Sequence, residues 1–134
     1  TEHTYSPTPR LVFGMRMLEI GRVAECSLGV VADEKPTPES IMYYYPFSNV
    51  YKSGKVCAGN NVLPKYRDPR KLWQFPRYLL GLPDNDDFYD VEHNRLMLDH
   101  KELLEHLKDK DPAYYYSDIL VPNGKVLQDF IDGR

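Results

Sequence analysis

Three runs rich in β-branched and aromatic residues follow one another before any helical period appears. This order constrains the fold more than any other feature of the chain. The first run, "LVFGMRML" from Leu11 to Leu18, is apolar and partly alternating. It predicts a strand, with Gly14 as a bulge or a point of close approach. After a turn at Gly21, "VAECSLGVVA" predicts a second strand from Val23 to Ala32, so the pair reads as a hairpin. "DEKPTPES" is a loop, because neither of its prolines suits a central strand. "IMYYYPF" predicts a third strand, stopped by Pro46. Consecutive strands joined by short turns predict an antiparallel meander.

Helical signals come later. "RDPRKLWQFPRYLLGLPD" has Asp68 as a helix cap and Pro69 at the first helical position, with Pro76 breaking the pattern into two short pieces. "LDHKELLEHLKDKD" is the clearest helix. Asp99 caps it, Glu102 stands three residues on, and Leu103, Leu104 and Leu107 form its apolar stripe. "YYYSDIL" predicts a strand or a packed extended segment. "VPNGKVLQDFIDGR" predicts a turn at Asn123-Gly124 and a closing amphipathic helix with Leu127, Phe130 and Ile131 on its apolar side. Strands first and helices after give an α+β fold: an antiparallel meander sheet with helices packed on one face.

The 134 residues suffice for one domain with a real core, and 42% hydrophobic with 28% charged residues is ordinary for a folded chain. Thr1 in place of Met and the polar opening "TEHTYSPTPR" lead us to read residues 1–9 as a linker or disordered N-terminal end. Residues 10–134 then form a single domain excised from a longer chain. The net charge is −3 with no basic stripe, which argues against nucleic acid as a partner. No apolar run approaches 18 residues, so no transmembrane span and no membrane partner is expected, and a cytoplasmic location is the default. His3, His93, His100 and His106 make no metal-binding spacing, and no metal or cofactor is expected.

Two cysteines occur. Cys26 lies mid-strand among apolar neighbours and reads as structural. Cys57 follows the turn signal "YKSG" and precedes "AGNN", whose Gly59, Asn60 and Asn61 could act as a gate loop. Lys52 and Lys55 would lower a nearby thiol pKa if their ammonium groups came close. From the residues alone Cys57 has two readings: a small buried hydrophobe, or a nucleophile. Asn49, eight residues earlier, also has two: a turn asparagine bonding its own backbone, or a carboxamide donor to a tetrahedral oxyanion.

These residues resemble the active site of ubiquitin-conjugating enzymes. Those enzymes carry a His-Pro-Asn motif and then Gly-x-Ile/Val-Cys, with the same spacing from asparagine to cysteine. Asn49, Gly54, Val56 and Cys57 fall in that register, while Phe47 and Ser48 stand where the family has His and Pro. The chain is still more similar to a prokaryotic ubiquitin-conjugating-like family, protein B of the PRTRC system. "RLVFGM", "VVADEKPTPES", "YYPFSNVYKSGKVCAGN", the later tryptophan and "ILVPNGKVLQDFI" follow in that family's order over most of residues 10–131. That family also lacks the histidine, although Val126 departs from its closing threonine.

The resemblance implies a ubiquitin-conjugating-like fold and a transferase encoded in a bacterial cassette carried on mobile elements. Cys57 would carry a ubiquitin-like modifier as a thioester and pass it to an amine, with Asn49 steadying the oxyanion. Asp84, Asp86 and Asp87 would be candidate lysine-activating acids, though an acidic loop cluster is more often a solvated cap. A ThiF-like activating enzyme, the modifier and a JAB-type peptidase are the implied partners. Two other readings stand beside this one. A non-catalytic adaptor on the same fold would leave Cys57 inert. A thiol hydrolase would need His93, His100 or His106 to reach the sulfur.

Overall fold

The computed structural model of the chain describes residues 9–19, 22–56, 68–74, 76 and 88–134. Four antiparallel strands form one sheet in chain order: β1 (Leu11–Glu19), β2 (Arg22–Val31), β3 (Ile41–Tyr43) and β4 (Pro122–Val126). Among the described residues two α-helices accompany them, α1 (His100–Leu107) and α2 (Leu127–Asp132). The fold is therefore the α+β meander expected from the order of the patterns.

The β1–β2 hairpin pairs Leu11 with Val30 and Met15 with Cys26, and its register shifts near Met17. Side chains alternate between faces along a strand, yet Leu28, Gly29, Val30 and Val31 are all buried. Each face of β2 has its own cover. Val30 joins Leu103 and Leu107 of α1, with Tyr115, Ile119 and Leu120, in the main core. On the opposite face the Phe130 ring of α2 lies over Gly14 and Gly29, 3.5 Å from where a Cβ would stand on either. A Cβ on Gly14 would thus meet the ring in ordinary contact, and the strand's irregularity lies further along, near Met17.

Strand β4 replaces the turn expected at Asn123-Gly124. Ile41 pairs with Val126 and Tyr43 with Pro122, so Met42 faces three residues on β4. The surplus residues form a bulge. Gly124 takes φ 82°, and the Lys125 N–H bonds the Asn123 side chain at 2.9 Å. The turn chemistry is present, but it serves a bulge within a strand.

Helix α1 starts as expected: the Asp99 carboxylate accepts the Glu102 N–H at 2.8 Å. Leu103 and Leu107 are buried, and Leu104 is half-buried. The segment "YYYSDIL" is neither strand nor extended. Residues Tyr115–Ile119 form a π-helical turn closed by Leu120 N–H to Tyr115 O at 3.0 Å. Asp111 caps its approach through the Ala113 N–H at 2.9 Å, with Pro112 next in the chain. Asn94 ties the preceding loop together. Its amide donates to the Tyr89 hydroxyl and the Leu98 carbonyl, both at 3.1 Å, and its oxygen accepts the Leu98 N–H.

Helix α2 leans on the proline loop. Its first two free N–H groups donate to Ser40 O at 2.8 Å and Pro38 O at 2.9 Å. It ends at Gly133, φ 72°, with Arg134 N–H reaching back to Asp129 O. Phe130 is half-buried over the sheet, whereas Ile131 points to solvent. Among the described residues no helix is long and apolar enough to cross a membrane.

Candidate functional site

The segment between Asn49 and Cys57 folds on itself. Val50 pairs with Val56 in an isolated antiparallel bridge. The Tyr51 N–H donates to Lys55 O, and the Gly54 N–H to Tyr51 O, both at 2.8 Å. The signal Lys52-Ser53-Gly54 is therefore a tight reversal, as its residue types require. Gly54 sits at φ 94°, and a Cβ there would stand 3.1 Å from Leu28 O. Both the conformation and the space call for glycine.

That closeness arises because the returning arm docks on β2. Leu28 N–H donates to Gly54 O at 2.7 Å and Val56 N–H to Cys26 O at 2.9 Å, around the bridge between Ser27 and Lys55. Outside, Glu25 accepts from Arg16 and Lys55, each at 3.2 Å. The Arg16 and Lys55 partners hold the Glu25 carboxyl below its usual range. Lys55 is thus turned toward Glu25. Tyr51 leans on Phe88, with ring centroids 4.1 Å apart.

Asn49 is half-buried between the buried residues Ser48 and Val50, at φ 69°. Asparagine tolerates this left-handed conformation better than most residues. Before it, Phe47 points into the core, edge-on to Tyr45 at 5.4 Å and to Tyr115 at 6.4 Å. An aromatic anchor stands where conjugating enzymes have a histidine. Cys57 and the residues expected to form a gate loop, Gly59, Asn60 and Asn61, lie outside the described residues, as do Asp84, Asp86 and Asp87.

Cys26 has the environment of an inert thiol. It is buried, and burial pushes its pKa up to about 12. The three histidines of the core half are each held by aromatic rings. His93 stacks on Tyr44 with centroids 4.1 Å apart, and His100 stacks on Tyr89 at 4.9 Å. His106 shares a 2.7 Å hydrogen bond with the Tyr114 hydroxyl. Burial lowers the His93 pKa, partly opposed by Asp90, whose carboxylate lies 3.6 Å from Nε2.

The Asp90–His93 pair went unread in the sequence. Its signal was there: Asp90 caps the short 3-10 turn Val91–His93, accepting the Glu92 N–H at 2.8 Å. Among the described residues no three His, Cys, Asp or Glu side chains converge as a metal set.

In comparison with known proteins, the family model described as prokaryotic E2 family D matches residues 1–78, a span that takes in Asn49 and Cys57. No curated protein and no solved structure matches the chain.

Proposed function

Because the chain belongs to prokaryotic E2 family D, we propose that it carries a ubiquitin-like modifier as a thioester on Cys57 and passes it to an amine. The supporting observation is the pairing of Val50 with Val56, the two residues that flank Asn49 and Cys57 inside the motif. A hairpin bolted to β2 is a rigid mount for chemistry, as a positioned nucleophile and its oxyanion donor require.

In this reading the Cys57 thiolate attacks the modifier's C-terminal carbonyl, held as a thioester on an activating enzyme. The tetrahedral oxyanion collapses, expelling the enzyme's thiolate and leaving the acyl group on Cys57. An amine then attacks the new thioester, loses a proton, and releases the Cys57 thiolate. Asn49 donates to the oxyanion in both steps. Asp84, Asp86 or Asp87 receives the proton of the attacking amine, and the Gly59-Asn60-Asn61 loop gates access.

Within the family we place the chain with protein B of the PRTRC system, working in the bacterial cytoplasm beside a ThiF-like activating enzyme and a JAB-type peptidase. One observation favours a second reading, a non-catalytic adaptor. Phe47 fills the core where the motif's histidine would stand.

A charging assay tests the proposal. The protein is mixed with the ThiF-like enzyme, the modifier and ATP, and run on a non-reducing gel. A band that is lost with reductant and in Cys57→Ala is expected. No such band, with the activating enzyme demonstrably loaded, leaves the adaptor.

A further inference from the structure

A groove of about 220 Å³ lies between the hairpin, β3 and the end of α2, on the sheet face that carries Gly29 and Phe130. Among the described residues its charged lining is of one sign: Lys52, Lys55, Lys125 and Arg134, with His93 in the wall. Lys55 is engaged by Glu25, and Arg134 by Asp129 and Asp132. Lys52 and Lys125 make no ion pair among the described residues. In a chain of net charge −3, such a concave cationic patch concentrates field and attracts anions.

His93 gives the groove a second, independent feature. It is 6% exposed, and its Nε2, with no hydrogen-bond partner among the described residues, lies 3.6 Å from the Asp90 carboxylate, too far for a hydrogen bond. Without a hydrogen bond, this buried nitrogen can still take one from a ligand hydroxyl or give one to a ligand oxygen. The Tyr44 ring stacked on it, also in the lining, fixes the imidazole plane. The volume is below the roughly 300–1,000 Å³ of pockets that enclose a drug-sized molecule. It suits a head group. Lys52 and Lys125, the two lining cations with no ion pair among the described residues, suit a dianion better than a carboxylate, and lysine ammonium is a common phosphate partner.

We propose that this groove binds phosphate, free or as the head group of a small monoester, through Lys52 and Lys125 with His93 in its wall. The site needs neither Asn49 nor Cys57, so it stands or falls apart from the modifier-carrying reading.

The test is an NMR titration of the labelled protein with inorganic phosphate, against sodium chloride at matched ionic strength. Saturable shifts of the His93 ring and Lys125 amide signals are expected. In Lys52→Gln/Lys125→Gln, binding should weaken by about tenfold or more, since hydrogen bonds to charged groups are lost. The thermal midpoint without phosphate reports that the variant is folded. Glycerol 3-phosphate separates the two sources: tighter binding than inorganic phosphate assigns the groove to a monoester, and equal binding to the free anion. Shifts that match chloride, an unchanged affinity in the double variant, or acetate binding as tightly as phosphate would each overturn the proposal.

Discussion

The backbone N–H of Val56 donates to the carbonyl of Cys26 at 2.9 Å. The residue that precedes one cysteine is thereby fastened to the other. Cys26 is closed in the sheet with its pKa pushed up to about 12, and Cys57 follows the arm that docks beside it.

Thiol labelling separates them. The folded protein near pH 8 should react with a thiolate-selective reagent at no more than one site. In Cys57→Ser that fast reaction should vanish, and Cys26 should label only after denaturant unfolds the chain. Mass spectrometry of the labelled protein reads the count. Fast labelling of folded Cys57→Ser contradicts the burial of Cys26.

Gly54 carries the hairpin turn. Gly54→Ala places a side chain at φ 94° and against Leu28 O. The left-handed conformation alone costs about 1–2 kcal/mol for a residue with a Cβ. Urea unfolding should show a loss of at least that size. If Cys57 is an acyl carrier, the same variant should charge more slowly while remaining folded.

Phe47 is an anchor, and a histidine in its place is not a restoration. Phe47→His would set an imidazole among Tyr45, His100 and Tyr115. A buried polar group without a partner costs about 1–3 kcal/mol, so Phe47→His should melt lower than wild type. Phe47→Ala should lose about 3 kcal/mol, the low end for a core aromatic. Calorimetry of both variants measures this. A Phe47→His protein as stable as wild type would mean that the core already supplies a partner for the imidazole.

Stability should fall on the acid side through His93. Its pKa is lowered in the folded chain, chiefly by burial, so the unfolded chain binds the proton more readily. By linkage, stability is complete above the ordinary histidine value of 6.5 and declines as pH drops from there toward the depressed folded value. His93→Phe keeps a ring for Tyr44 to stack on and should flatten that slope. Denaturant midpoints between pH 7 and pH 5 provide the check, and equal slopes in the two proteins exclude His93 as the cause.

The alkaline side has the opposite sign. The Cys26 thiol and Tyr115 phenol are each pushed up to about 12 from 9.0 and 10.0, both mainly by burial. The unfolded chain releases these protons first. Stability is therefore complete below pH 9 and lost progressively as pH rises toward 12. Tyr115→Phe should shallow the loss above pH 10, as followed by circular dichroism.

Much of this fold was legible in the sequence because local and tertiary preferences agree there. The Asp99 cap, the Leu103 and Leu107 stripe and the β1–β2 pattern each state the structure they adopt. Legibility failed where the same local chemistry serves two structures. Asn123-Gly124 has the residues of a turn, and only pairing with Ile41 and Tyr43 makes it a bulge. Tyr114 to Tyr116 look like a strand, but Asp111 and Pro112 start a helical turn that the core then widens to a π turn. At the site, the reversal at Gly54 was readable from its turn residues. The burial of His93 and His100 among tyrosines was not, since aromatic partners distant in sequence decide it.

Strand β2 offers one edge to two neighbours in succession. Val30 and Val31 take β3, and Cys26 to Leu28 take the arm of Gly54, Lys55 and Val56. The stretch from Tyr44 to Ser53 joins those two dockings, so its length acts as a ruler laid along the strand. An insertion or deletion within it would slide the arm out of register and carry the position of Cys57 with it. A change of length in the proline loop before Ile41 would leave that register alone. The spacing between asparagine and cysteine is thus one part of a longer fixed interval, measured from the sheet itself.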